Sequence, residues 1–260
     1  MSRPAWTLDA SAWHGVVFDM DGVLTATALV HARAWKEMFD GYLERRGEGA
    51  APFDIEEDYR RHVDGVPRYD GVRRFLASRG IRLEEGDPGD PPERETVCGL
   101  GNRKNRLFLE HLRREGPERF EDGVALVQSL REARVPVAVI SASRNAGEVL
   151  DRAGIDGLFD ARVDGVVADE AGLAGKPAPD VFLEAARRLG AGPARTVVVE
   201  DARAGVEAGR RGGFGQVIGV ARRGGAEALR EAGADVVVRE LSEIAVVGRA
   251  DAGASTGDRP

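Results

Sequence analysis

The chain has 260 residues, is 42% hydrophobic, and carries 37 basic against 44 acidic side chains, a net charge of −7. That balance argues against a nucleic-acid partner or an anionic membrane surface, and the hydrophobic share excludes wholesale disorder. The single cysteine, Cys98, can form neither an internal disulfide nor a thiolate zinc cluster.

In chain order, residues 1–13 lack apolar periodicity and are expected to be flexible. Gly15–Phe18 (GVVF) reads as a buried strand. From Val30 to Pro117 only helical spacing is visible. Val30, Ala34, Met38 and Tyr42 recur every fourth position, with Trp35, Phe39 and Leu43 beside them. Val72, Phe75 and Leu76 share a face of a second helix closed by Gly80, and Leu107, Phe108 and Leu112 mark a third. Leu83–Thr96 is polar and Pro-rich, as in a loop. Strand and helix then alternate. Val135–Ile140 is a β-branched run with Pro136 at its start, and a helix over Asn145–Ala153 stops at Gly154. A helix opening at Pro179 carries Phe182, Ala185, Ala186 and Leu189 and ends at Gly190. Thr196–Val199, Gln216–Val220 and Asp235–Val238 read as strands, with helices from Ala202 and over Ala226–Ala232. A tail over 249–260 again lacks periodicity and is expected to be disordered.

Short, nearly all-apolar strands separated by helices predict a parallel sheet covered on both faces. The expected fold is α/β: a Rossmann-like doubly wound core over residues 14–29 and 118–248, interrupted by an all-helical cap over 30–117. No run approaches the roughly 20 apolar residues of a membrane span, and the first residues show no secretory leader. A cytoplasmic location is expected.

Chemistry-bearing residues cluster where these strands end. Asp19-Met20-Asp21-Gly22 directly follows the first strand. Two acidic side chains leaving a strand together repel each other, and a divalent cation would relieve them; a solvated strand end would look the same. Ser141-Ala142-Ser143-Arg144-Asn145 follows the next strand. A hydroxyl and backbone N–H groups at a helix start suit an anion, although an N-cap serine is common in any such fold. Lys176 precedes a helix and can stand beside a phosphate, or simply be a surface lysine. Glu200-Asp201 ends a further strand, as metal oxygens or as favourable helix-start charge. A phosphoryl group in transfer needs a nucleophile, a cation clamp and donors around its oxygens, and the four motifs together supply that set. His14, His62 and His111 are scattered and suggest no metal triad, and Gly212, Gly213 and Gly215 lie where a turn is expected.

With these motifs in this order, the sequence resembles the haloacid dehalogenase-like phosphotransferases over about residues 14–240, and within them the β-phosphoglucomutase subgroup. The resemblance implies that Asp19 becomes an aspartyl phosphate and that Asp21 is the general acid/base. It implies Mg²⁺ bound by Asp19, the Asp21 carbonyl, Glu200 and Asp201. Ser141 and Lys176 would hold the transferring phosphate, with Ala142, Ser143, Arg144 and Asn145 completing that loop. The helical insert would be a cap that closes over the site. Thr27, His31 and Trp35, spaced by four, would face the substrate side together with Lys36. Asp64-Gly65-Val66-Pro67-Arg68 resembles the mutase cap loop through Gly65 and Arg68, but has Asp64 where the mutases carry Lys. Lys104, in Arg103-Lys104-Asn105, is a second cap cation, or part of a solvated helix face.

The function implied is isomerisation of β-glucose 1-phosphate to glucose 6-phosphate through a bound bisphosphate. A sugar-phosphate phosphatase of the same fold is the alternative, and a non-catalytic phosphate-binding module a third. The expected partner is a small sugar phosphate, with no nucleic acid and no membrane, for a monomeric enzyme.

Overall fold

The structure is a computed structural model and describes residues 5–47, 49, 51–222 and 224–248. Strand β1 (Trp6–Asp9) is followed by β2 (Gly15–Asp19) and helix α1 (Ala28–Arg46). A single π turn at Tyr59–Val63 precedes α2 (Arg68–Ser78) and α3 (Val97–Glu115). Then come α4 (Glu121–Glu132), β3 (Val137–Ile140), α5 (Ala146–Arg152), β4 (Ala161–Val163), α6 (Gly165–Ala171) and α7 (Asp180–Arg188). The chain continues through β5 (Thr196–Glu200), α8 (Arg203–Arg211), β6 (Gln216–Val220), α9 (Ala226–Glu231), β7 (Val236–Val238) and β8 (Ile244–Val247).

Six strands form one parallel sheet in the order β4-β3-β2-β5-β6-β7. The chain winds outward from β2 through β3 and β4, then returns to β5 on the other side of β2. A crevice therefore opens between β2 and β5 at their carboxyl ends, where open sheets of this kind bind ligands. Alternate side chains enter opposite layers. Val16 and Phe18 pack with Val127, Leu130, Val149 and Leu150 from α4 and α5. Val17 packs with Phe182, Ala185 and Val206 from α7 and α8. Coverage of both faces is why these strands are apolar throughout.

The inserted helices build a third core from Trp35, Phe39, Tyr42, Phe53, Phe75 and Leu100. Val30 and Ala34 of α1 and Phe108 and Leu112 of α3 join the sheet-side core instead. The segments leading out to these helices and back touch each other: the Ala26 N–H donates to Glu118 O at 2.8 Å and the Phe120 N–H to Leu24 O at 2.9 Å. Among the described residues no helix is long and apolar enough to cross a membrane.

Three differences from the sequence reading have physical causes. The N-terminal segment is not flexible throughout: β1 pairs in parallel with β8, from Trp6↔Ile244 to Asp9↔Val247, and Leu8 and Ala10 are buried. Only one of its four residues points inward, so no periodicity betrays it. Helix α3 begins well before Leu107 because Gly99 and Gly101 are packing glycines rather than breakers. A Cβ at Gly99 would overlap the Arg94 carbonyl, and one at Gly101 would lie 2.6 Å from the Tyr69 ring. Strand β4 and helix α6 are too short to show a period; Asp164 caps α6 by accepting from the N–H groups of Val166 and Val167. The tail over 249–260 lies outside the described residues.

Candidate active site

Asp19 is the last residue of β2 and is buried. Beyond it the chain turns sharply: the N–H groups of Leu24 and Thr25 both donate to Met20 O, at 2.9 and 3.0 Å. Gly22 has φ +86°, and a side chain there would collide with Asp201. Glu200 ends β5 and is fully buried, with Oε1 accepting from the Ala202 N–H at 3.0 Å. Its carboxylate lies against Gly205, where no Cβ fits. Lys176 joins the strand ends, donating to Asp19 Oδ1 and, at 2.7 Å, to Glu200 Oε2. After β3, Ser141 Oγ accepts from the Ser143 N–H at 3.1 Å and lies 3.4 Å from Asp21 Oδ2. Ser143 Oγ accepts in turn from the Asn145 N–H at 3.1 Å.

One carboxylate oxygen from each of Asp19, Glu200 and Asp201 falls within 4.8 Å of the others. The donors are all hard oxygens, and three acids face the single ammonium of Lys176. Burial, reinforced by Asp19, pushes Glu200 up to about 8, and burial reinforced by Glu200 pushes Asp201 well above the usual carboxylate range. Burial disfavours the Lys176 ammonium, but Asp19 and Glu200 outweigh it and hold the lysine above its ordinary value. A cluster with this excess of buried negative charge fits a divalent cation.

The helical insert supplies the facing wall. The Thr27 hydroxyl, just before α1, donates to Asp21 Oδ1. One turn on, His31 Nε2 lies 3.9 Å from the same oxygen and makes no hydrogen bond. The His31 ring stacks on Phe108 at 4.0 Å between centroids. Its Nδ1 is 2.6 Å from Lys104 Nζ, and that ammonium also sits 5.0 Å from the ring centroids of Trp35 and Phe108. Burial and Lys104 together hold His31 well below its ordinary value. The neutral ring presents its Nδ1 edge to Lys104 and its Nε2 edge to Asp21. Burial, with Arg68 adding repulsion, brings Lys104 down to about 7 against the pull of Asp21. Burial and then Asp19 push Asp21 up to about 6, opposed by the Thr27 hydroxyl and the two lysines.

A sequence profile for haloacid dehalogenase-like hydrolases matches residues 13–213. The chain belongs to the haloacid dehalogenase-like family. It is 49% identical to β-phosphoglucomutase of Mycobacterium bovis over 235 residues, covering 88% of this chain and 90% of that protein. It is 30% identical to the phosphorylated carbohydrates phosphatase of Thermotoga maritima over 225 residues, 86% of this chain and 93% of that protein. The crystal structure of β-phosphoglucomutase from Clostridium difficile superimposes with a TM-score of 0.71 at 24% identity, over 89% of this chain and 92% of that one; this likeness speaks to the fold alone. Within the haloacid dehalogenase-like enzymes the chain falls in the β-phosphoglucomutase-like subgroup.

In this haloacid dehalogenase-like chain, Asp19, Asp21, Ser141, Ala142, Ser143, Arg144, Asn145, Lys176, Glu200 and Asp201 line one cleft, joined from the helical side by His31, Trp35, Gly65, Arg68 and Lys104. Two expected substrate residues do not reach it. Lys36 is drawn to Asp40 Oδ2 at 2.7 Å and the Phe53 carbonyl at 2.9 Å, away from the cleft. Thr27 is fully buried behind Asp21, so it orients that carboxylate rather than contacting a ligand. Asp169 and Asn105 are among the polar wall residues absent from the expected set. Asp169 pairs with Arg144 at the rim; it lies on α6, a helix the sequence does not announce. Asn105 Oδ1 accepts from Asn145 Nδ2 at 2.6 Å, tying α3 to the loop after β3. Its position beside Lys104 was the available signal.

Proposed function

We propose that the chain is a Mg²⁺-dependent phosphotransferase acting on sugar phosphates through an aspartyl phosphate at Asp19, specifically a β-phosphoglucomutase. The observation that carries this reading is that one cleft has cations at both walls. Lys176, with the Ser141 hydroxyl, stands beside Asp19, and Arg68 and Lys104 line the opposite, helical wall. A bisphosphate that turns over in place needs a grip for each phosphate. Arg68 Nε is buried without a hydrogen-bond partner, so the bonding capacity of this guanidinium is not fully used within the protein.

In the first half-reaction the 6-hydroxyl of β-glucose 1-phosphate attacks the aspartyl phosphate while Asp21 takes its proton. Glucose 1,6-bisphosphate forms and Asp19 is freed. After the bisphosphate turns over, the Asp19 carboxylate attacks the phosphorus at C1, and Asp21 returns the proton to the departing C1 oxygen. Glucose 6-phosphate leaves and the aspartyl phosphate is restored. With its pKa near 6, Asp21 has both protonation states accessible near neutral pH, as a group that takes and gives a proton requires. Ser141 and Lys176 hold the moving phosphate. Asp19, the Asp21 carbonyl, Glu200 and Asp201 would hold Mg²⁺, which when bound draws charge from the phosphate oxygens. The helical wall excludes water that would otherwise take the phosphoryl group.

Two observations favour a hydrolase instead. Asp64, on the cleft wall, puts an anion where the mutase pattern has a cation, and a relative at 30% identity is named as a phosphatase. In that reading water activated by Asp21 attacks the aspartyl phosphate. A coupled assay with β-glucose 1-phosphate, Mg²⁺ and a trace of glucose 1,6-bisphosphate separates them. Glucose 6-phosphate is the expected product; free phosphate without isomer would replace the mutase by the phosphatase.

A further inference from the structure

Arg222, in the loop after β6, takes no part in the reaction above, yet its guanidinium meets two separate stretches of chain, Gly22–Val23 and Phe120–Asp122. Nε donates to Gly22 O and Nη2 to Val23 O, each at 3.2 Å. Nη1 and Nη2 each donate to an oxygen of Asp122, on the first turn of α4, at 2.9 Å. Its Cζ lies 4.0 Å from the Phe120 ring centroid. Both members of the pair are largely shielded, at 15% and 17% exposure, and the Asp122 carboxylate is fixed further by the Leu241 N–H at 2.7 Å and the Gly123 N–H at 2.9 Å. One planar group therefore touches the segment running out to the helical insert and the segment that returns from it into α4.

The outgoing segment is also what aims Asp21. The Gly22 N–H donates to Thr25 O at 2.8 Å. Thr25 Oγ1 donates to Met20 O at 3.2 Å and lies 3.0 Å from Thr27 Oγ1, and the Thr27 hydroxyl donates to Asp21. Gly22 is wedged between Asp201, which fills the space of its missing side chain, and Arg222, which holds its carbonyl. Only a rigid fork of five donors can grip two carbonyls and a carboxylate at once.

We propose that Arg222 is a positioning residue for Asp21: by fixing the Gly22 and Val23 carbonyls it keeps the Thr25 and Thr27 hydroxyls registered against the Asp21 carboxylate. The inference rests on the reading of Asp21 as the acid/base. Its test compares two leaving groups in the first turnover with Mg²⁺. The phenolate of p-nitrophenyl phosphate departs without a proton, whereas that of phenyl phosphate needs one. Arg222→Met is expected to slow phenol release at least about tenfold and p-nitrophenolate release less than about threefold, the asymmetry that lost proton donation produces. A residue that merely stabilised the fold would slow both equally by lowering the active fraction. Equal slowing, or none, overturns the inference. Asp21→Asn, run alongside, should show the same asymmetry in larger measure; if it shows none, the acid/base reading falls and takes the inference with it. Should Arg222→Met fail to fold, Arg222→Lys keeps a cation beside Asp122 but cannot span both carbonyls. A leaving-group asymmetry at a near-native melting temperature supports the proposal, and no asymmetry overturns it.

Discussion

Asp19 and Asp21 leave the same strand end but meet different partners. Asp19 receives the Lys176 ammonium, whereas Asp21 receives the neutral Thr27 hydroxyl and faces the His31 ring. The first arrangement sets a cation directly against a carboxylate oxygen; the second leaves a carboxyl group, with a pKa of about 6, able to exchange its proton. Asp19→Asn, with an amide in place of the proposed nucleophile, is expected to reduce turnover by at least about a thousandfold, and trapping experiments should find no phosphorylated protein. Lys104 carries the opposite expectation for stability. Its pKa falls from 10.5 to about 7 on folding, so between those values the unfolded chain holds a proton that the folded chain does not. Stability on this account rises with pH through that window, and the destabilisation is fully present below pH 7. Lys104→Met removes the buried cation and keeps most of its volume, and should stabilise the fold by about 1 to 4 kcal/mol at pH 6. The gain should fade as melting is followed toward pH 10, while sugar-phosphate turnover falls. A melting difference independent of pH would contradict this account.

At the scale of elements, a short strand can matter more than its sequence suggests. In β1 only Leu8 faces inward, yet it is 1% exposed and belongs to the core that also receives β2. Leu8→Ala is expected to destabilise the protein by about 2 to 5 kcal/mol in chemical denaturation, with little effect on KM because Leu8 is not on the cleft wall. The sequence conceals β1 because its pairing partner β8 stands at the far end of the chain and three of its four side chains are exposed. The inner strands are the opposite case: β2, β3 and β5 are buried at every position, so an uninterrupted apolar run announces them. Glycine misleads in α3, where Gly99 and Gly101 permit close packing against Arg94 and Tyr69 in a helix that the usual propensities would break.

Across the whole molecule, the sheet order makes one site of residues far apart in sequence. Asp19, Asp21, Ser141, Lys176, Glu200 and Asp201 were legible because their motifs adjoin apolar strands or a helix start, and the parallel topology brings those points to one edge. Residues placed by side-chain partners rather than by backbone topology were not legible. Lys36 follows Asp40 away from the cleft, and Asp169 reaches the rim through its pairing with Arg144. The same convergence predicts a global effect of the cation. Three carboxylates brought within 4.8 Å repel one another until one is bound, so Mg²⁺ should raise the melting temperature. At a hundred times its dissociation constant the stabilisation is about 2.7 kcal/mol. Chelation should reverse the shift and abolish turnover, and Asp201→Asn should blunt the shift; a melting temperature insensitive to Mg²⁺ would exclude cation binding at this cluster.

The central strand is synthesised early and finds its neighbours late. β2 pairs with β3 and β5, and the whole helical insert is translated before either emerges from the ribosome. Asp19 meets Lys176 and Glu200 only when most of the polypeptide has been made. A nascent or prematurely terminated chain therefore carries Asp19 without the Lys176 ammonium beside it, and the acid cluster at the strand ends is assembled only once β5 has been made.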